Sequence, residues 1–72
     1  MKLSARNVLK GKVKSVKKGA VNTEVIILLP NRTELVSIIT NASVKELKLK
    51  KGKEVYAIIK ASNVILGVDC KC

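Results

Sequence analysis

The chain has 72 residues, 47% of them hydrophobic and nearly all of those aliphatic, and a formal net charge of +10. A domain of this size buries only about 60% of the surface that its unfolded chain exposes, so we expect part of the aliphatic surface to be buried between copies of the chain. Histidine is absent and cysteine occurs twice, which excludes a nucleophile–base triad of the usual kind and a tetrahedral metal site within one chain. We therefore expect a binding protein and not an enzyme.

The first half of the chain consists of β-strand patterns separated by turns. Lysines alternate with small or apolar residues over 8–16, which predicts a strand with one basic, solvent-exposed face. A turn follows at 17–22, in which Gly19 is free to adopt a positive φ. The apolar run at 23–29 predicts a strand that is covered on both faces. Pro30 opens a turn at 30–32, and a further strand is predicted at 33–40.

The hydrophobic period changes after residue 40. Val44 and Leu47 fall on one helical face, with Asn41 or Ser43 as the predicted N-cap and Gly52 as the predicted helix stop. Two more strands are predicted at 54–60 and 63–68. This order predicts an all-β fold with small α content, an OB-fold-like five-stranded Greek-key barrel with one short helix after the third strand. An Sm-like barrel is the rival fold, disfavoured because its helix normally precedes the strands.

The predicted domain covers residues 1–68, followed by a C-terminal tail at 69–72 that carries Cys70 and Cys72. We expect this tail to be exposed and its cysteines reduced. The alternatives are intermolecular disulfides and adventitious metal binding. No apolar run approaches the roughly 20 residues of a membrane-spanning helix, and the N-terminus lacks the apolar core of a signal peptide. The expected location is therefore the cytoplasm.

The positive charge predicts an anionic partner: nucleic acid, a membrane surface or a small oxyanion. Tyr56 is the single aromatic residue, whereas stacking on aromatic side chains contributes roughly 1–3 kcal/mol per base in single-strand binders. No long basic amphipathic helix is present to lie on a membrane. Seven lysines are interpreted as a solvated face that keeps an oligomer soluble: Lys10, Lys12, Lys14, Lys48, Lys50, Lys51 and Lys53.

Two short donor-rich clusters, SARN at 4–7 and KASN at 60–63, fit that interpretation less well. Arg6 and Lys60 are each flanked by a small residue, Ala5 and Ala61. Ser4 and Ser62 each add a hydroxyl two residues from the cation. Such a set can surround a tetrahedral dianion with donors alone. Because no carboxylate is near to accept a proton from hydrogen phosphate, the set favours molybdate, tungstate or sulfate.

Four segments closely resemble the molbindins, the molybdenum-pterin-binding (Mop) proteins: SARNVLKGKV, KKGAVNTEV, SIITNASVKELKLKKGKEV and YAIIKASNVILG. The resemblance is to a single-module, TOBE-type member. It implies an OB-type fold assembled as a homohexamer, a trimer of dimers, which stores or buffers molybdate or tungstate in the cytoplasm. The implied metal is bound as an oxyanion, with no direct protein ligand, no cofactor and neither a nucleic-acid nor a membrane partner. A small basic nucleic-acid-binding OB module is the alternative.

The resemblance also implies two sites. In the first, Ser4, Ala5 and Arg6 of one subunit face Lys60, Ala61 and Ser62 of another. The second lies near the threefold axis, at the turn formed by Gly19, Ala20, Val21 and Asn22, and the alternative for these four residues is a plain β-turn.

Overall fold

The structure is a computed structural model that describes residues 6–70 of the chain. Its elements are β1 (Asn7–Lys18), β2 (Asn22–Leu28), β3 (Glu34–Thr40), helix α1 (Asn41–Leu47), β4 (Glu54–Ile59) and a 3₁₀ helix at Ala61–Asn63. The fold is mostly β, with one short α-helix directly after the third strand. No helix within 6–70 has the length and apolar character needed to cross a bilayer.

One antiparallel sheet, in the order β3-β2-β1-β4, forms the body of the protein. The long strand β1 pairs with β4 through its first half, from Asn7 opposite Ile59 onward, and with β2 through its second half. The register shifts between Val13 and Ser15. Such an irregularity bends and twists a strand, so the sheet curls into a half-barrel whose two open edges are β3 and β4.

The core lies on the concave face of this curled sheet. Val13, Val25, Ile27 and Ala57 are buried there, together with the hydroxyl-bearing Thr23. Strand β2 alternates buried and more exposed residues along its length. Within one copy only the odd-numbered side chains of this strand reach the core, so cover of its other face by a neighbouring subunit stays a prediction.

Gly11 is required where β1 passes over β2. A Cβ atom at this position would lie 2.7 Å from the carbonyl oxygen of Leu28 and 2.8 Å from Cγ2 of Ile27. Overpacking of this kind costs about 1–3 kcal/mol, and each kcal/mol lowers the Tm of a domain this small by about 4–8 °C. We therefore expect calorimetry to show a Tm for Gly11→Ala that is lower by at least about 4–8 °C, the shift that corresponds to 1 kcal/mol. Lys12→Ala, at an exposed neighbouring position, is the control, and an equal Tm in both variants would contradict the role of Gly11.

Helix α1 is capped differently from the sequence prediction. Thr40, not Asn41 or Ser43, is the N-cap, and its hydroxyl oxygen accepts a hydrogen bond of 3.1 Å from the N–H of Ser43. The helix ends at Lys48, which adopts a left-handed φ of 54°, and not at Gly52. Thr40 is extended and three residues before Ser43, so its side chain reaches an N–H that the helix leaves unpaired.

The predicted fifth strand at 63–68 is wrong for the described chain, in which the sheet has four strands. Residues 61–63 form the 3₁₀ helix instead, and no strand follows it. Ile65, Leu66 and Val68 are 93%, 89% and 95% exposed. Residues 64–70 therefore make no strand pair with β4 in the described chain. Cys70 is disulfide-bonded, which also corrects the expectation of a reduced tail, whereas Cys72 lies outside the described residues.

Candidate anion-binding site

The fold brings the described parts of the two donor-rich clusters, residues 6–7 and 60–63, to the same end of the sheet within one copy. Asn7 is paired with Ile59, and its side-chain Nδ2 donates to the Ile59 carbonyl at 3.3 Å. Arg6 directly precedes this pair and Lys60 directly follows it, so the two cations stand at adjacent strand ends. The distance between the clusters along the sequence therefore does not by itself require two subunits. Ser4 and Ala5 lie outside the described residues.

This end of the sheet presents donors without acidic partners. Arg6 and Lys60 are exposed, and neither takes part in an ion pair within residues 6–70. The first hydrogen bond of the 3₁₀ helix runs from the N–H of Asn63 to the carbonyl of Lys60 at 2.9 Å. It leaves the N–H groups of Ala61 and Ser62 without an acceptor in the described chain. Two charged and two backbone donors are thus available to an anion.

Several of the lysines that were interpreted as a solvated face have partners. Lys10 pairs with Glu54 at 3.1 Å across β1 and β4, and Lys14 pairs with Glu34. The hydrogen bond from Lys10 to Glu54, the negative charge of that carboxylate and the proximity of Tyr56 raise the pKa of Lys10. These cross-strand carboxylates offset part of the basic surface, whereas Arg6 and Lys60 have no carboxylate partner within residues 6–70.

The turn predicted as the second site is tight and is closed by a short backbone contact. The N–H of Gly19 donates to the carbonyl of Asn22 at 2.8 Å. A Cβ on Gly19 would lie 2.7 Å from that same oxygen. Glycine is needed here for close approach, and the expected positive φ is wrong, because Gly52 is the one described glycine that has it.

Asn41 holds this turn, a role that the sequence analysis missed because it treated Asn41 only as a candidate cap. Its side-chain Nδ2 donates to the carbonyls of Gly19 and Ala20 at 3.0 and 3.4 Å, and its backbone N–H donates to Val21 at 2.9 Å. The residue that could have indicated this role is Thr40, immediately before Asn41 in the sequence. Thr40 can cap the helix and so leaves the Asn41 amide free for another contact.

Two further features limit what the described residues can bind. Within 6–70 there is no group of three or more His, Cys, Asp and Glu residues that could hold a metal ion. A cleft of about 250 Å³ opens between β3 and β4, and its lining is almost entirely aliphatic, with side chains from β2, β3, β4 and the end of α1. This cleft suits an apolar segment and not an anion.

The TOBE domain family matches residues 3–66 of this chain. The "Probable molybdenum-pterin-binding protein" of Haemophilus influenzae is 54% identical over 69 residues, which are 96% of this chain and 100% of that protein. Molybdenum-pterin-binding protein 1 of Clostridium pasteurianum is 44% identical over 66 residues, covering 92% of this chain and 97% of the relative. The sequence similarity therefore extends over nearly the whole length of this chain and of both relatives.

Solved structures agree with these sequence matches. MopII from Clostridium pasteurianum superposes with a TM-score of 0.88 at 42% identity, covering 93% of this chain and 100% of that one. The cytoplasmic molybdate-binding protein ModG, solved with molybdate bound, gives a TM-score of 0.93 at 54% identity and covers 96% of this chain and 49% of ModG. The chain thus belongs to the TOBE domain family and, within it, to the molybdenum-pterin-binding (Mop) proteins.

Proposed function

We propose that this protein binds molybdate or tungstate as an intact oxyanion and stores or buffers it in the cytoplasm without performing chemistry on it. The observation that carries the proposal is the adjacency of Arg6 and Lys60 in a member of the Mop family. Both residues are exposed, and neither has an acidic partner within residues 6–70. A single binding module over residues 1–68, with a short tail at 69–72, performs this function.

The binding unit is an oligomer, and the apolar tail supports this. Val64, Ile65, Leu66 and Val68 are exposed in one copy, although burying each such side chain is worth roughly 1.5–3 kcal/mol. The same copy has an aliphatic cleft between two unpaired strand edges. A strand from a second copy, added at this cleft, supplies backbone partners to an open edge and buries both apolar surfaces.

Tail exchange would also bring the segment 60–62 of one copy to the Arg6 end of another, in addition to the Lys60 that adjoins Arg6 within that copy. Every strand pair in the sheet is antiparallel. A tail added antiparallel to β4 of a second copy starts beside the end of that strand, where Arg6 of the second copy lies. Ala61 and Ser62 immediately precede the tail, so they would border that Arg6. In this arrangement Ser4, Ala5 and Arg6 of one copy and Lys60, Ala61 and Ser62 of another complete the site, and dimers of this kind assemble as a trimer into the homohexamer.

The donor-only character of the site provides selectivity against phosphate. A buried dianion is stable only where it is fully paired and hydrogen-bonded. Molybdate and tungstate carry no proton at neutral pH and need only donors. Hydrogen phosphate presents a proton that requires an acceptor, and neither Arg6 nor Lys60 has a carboxylate partner in the described chain that could supply one.

Thermal unfolding tests this function directly. A ligand present at about 100 times its Kd stabilises the folded state by about 2.7 kcal/mol, which is about 10–20 °C in Tm for a domain of this size. We expect molybdate and tungstate to raise the Tm by this order, and phosphate at equal concentration to change it little. Equal Tm shifts with all three anions would show that the basic surface binds anions without selectivity, and would contradict the proposal.

A further inference from the structure

The C-terminal segment DCKC carries both cysteines of the chain, Cys70 and Cys72. Cys70 is exposed and disulfide-bonded, whereas Cys72 lies outside the described residues. Because the sequence contains no third cysteine, a disulfide formed within one copy must join Cys70 to Cys72. Neither cysteine belongs to the proposed oxyanion site.

This disulfide closes too short a loop to act as a structural cross-link. A disulfide stabilises a fold mainly by restricting the unfolded chain, and the gain grows with the length of the loop that it closes. The loop here runs only from 70 to 72. Residues 64–70 belong to no strand or helix, and Val68, two positions before Cys70, is 95% exposed. The bond therefore fixes no element of the sheet to another.

The position of the bond suits exchange with thiols in solution. Exchange proceeds by attack of a thiolate on a disulfide sulfur, so that sulfur must be accessible. Cys70 meets this requirement because it is exposed at the end of an exposed segment. Exposed disulfides are the labile ones, with catalytic or regulatory roles. In a reducing compartment such as the cytoplasm, disulfides are usually transient and of this kind.

The charge of the chain favours one class of thiol. Lys71 lies between the two cysteines, Asp69 is the one acidic residue of the segment, and the net charge of the chain is +10. A positively charged protein attracts anionic small molecules. A neighbouring cation also stabilises the thiolate that leaves when the bond opens. Anionic low-molecular-weight thiols, of which glutathione is a common example, therefore fit this segment better than neutral or cationic thiols.

We propose that Cys70 and Cys72 form a dithiol–disulfide centre that exchanges with anionic low-molecular-weight thiols. The thiolate of one thiol molecule attacks a sulfur of the protein disulfide, forms a mixed disulfide and releases the other cysteine as a thiolate. A second thiol molecule, also as its thiolate, attacks the small-molecule sulfur of the mixed disulfide. The protein gains two electrons and, from the two thiols, two protons, and the two thiol molecules leave as their disulfide.

The reverse reaction restores the protein disulfide. A cysteine thiolate attacks the small-molecule disulfide, forms the mixed disulfide and releases one thiolate. The second cysteine then displaces the remaining small thiol, and this step is intramolecular because only one residue separates the two cysteines. The mixed disulfide is therefore short-lived. The centre does not depend on the proposed oxyanion function, so either can fail without the other.

Intact-mass spectrometry of the full-length protein, equilibrated with graded ratios of reduced to oxidised glutathione and quenched with acid, tests the centre. We expect the mass of the unaltered protein to change reversibly by two hydrogen atoms, with little glutathione adduct. In Cys72→Ser no second thiol can displace the glutathione, so one glutathione per chain should stay bound to Cys70. Lys71→Ala should slow reduction by glutathione several-fold, and reduction by the uncharged thiol 2-mercaptoethanol much less.

Four results would overturn the proposal. They are a disulfide that glutathione does not reduce, a covalent dimer on non-reducing electrophoresis, a stable glutathione adduct on the unaltered protein, and a clear fall in Tm on reduction. The first and the last would indicate a structural cross-link, and the second a bond between copies. Equal effects of Lys71→Ala on both thiols would contradict the preference for anionic thiols.

Discussion

Replacing Arg6 with alanine is expected to abolish tight molybdate binding while the fold survives. Arg6 is exposed, precedes β1 and makes no ion pair within residues 6–70, so its loss removes no packing contact seen there. In the bound state, however, its guanidinium would be the planar, bidentate donor to the dianion. Truncating one partner of a desolvated charge pair costs about 2–5 kcal/mol, or roughly 30- to 5000-fold in Kd. Isothermal titration calorimetry with molybdate measures this loss.

Two variants separate the role of Arg6 from that of net charge. Arg32→Ala removes the same charge from an exposed turn between β2 and β3 and should leave the Kd within about twofold, since a distant exposed charge is screened. Arg6→Lys keeps the charge and loses the fork, so we expect intermediate affinity. An Arg6→Ala protein that binds molybdate as tightly as the unaltered one would remove Arg6 from the site.

Replacing Leu66 with aspartate is expected to convert the oligomer into monomers. Leu66 is 89% exposed in one copy, so the substitution breaks no contact of its own chain and the monomer should keep its β-sheet circular dichroism spectrum. In the exchanged tail the aspartate would enter the aliphatic cleft of the second copy, where burying an unpaired charge costs several kcal/mol. Light scattering coupled to gel filtration measures the mass, and molybdate binding should weaken together with assembly.

The matched control at the same position is Leu66→Met, which keeps the apolar character and nearly the same volume. This variant should elute with the unaltered protein. An assembled Leu66→Asp protein, or an unaltered protein that is monomeric at all concentrations, would show that the tail does not exchange and that the first site must be built within one copy.

The positions of the four strands and of the helix could be predicted because their signals are local. Alternation of lysine with small and apolar residues over 8–16 marks β1, and β-branched runs mark β2 and β3. The helix lies where the period changes, at Asn41–Leu47. Its N-cap differs from the prediction because capping depends on which side chain reaches the unpaired N–H groups. Thr40 does so, whereas the sequence analysis offered Asn41 or Ser43.

The fifth strand shows where local pattern fails. Val64, Ile65 and Leu66 have the composition of a strand, yet a strand needs a neighbour that donates and accepts hydrogen bonds. Whether that neighbour belongs to the same copy is a question of tertiary geometry. Within the described residues, 64–70 form no strand after the 3₁₀ helix at Ala61–Asn63. No composition signal distinguishes a strand paired within one copy from one paired with another.

The sequence by itself determined that this chain is basic, contains no histidine and is mostly β, and its motifs assigned it to the Mop proteins. Charge, composition and short-range periodicity are properties of the chain alone. Only the tertiary structure decided that Arg6 and Lys60 stand at adjacent strand ends, and that Asn41 holds the turn at Gly19–Asn22. The first fact depends on the register of β1 and β4, and the second on hydrogen bonds from the Asn41 side chain to residues about twenty positions earlier. Contacts between residues so far apart in the sequence form only when the sheet curls and α1 packs against it.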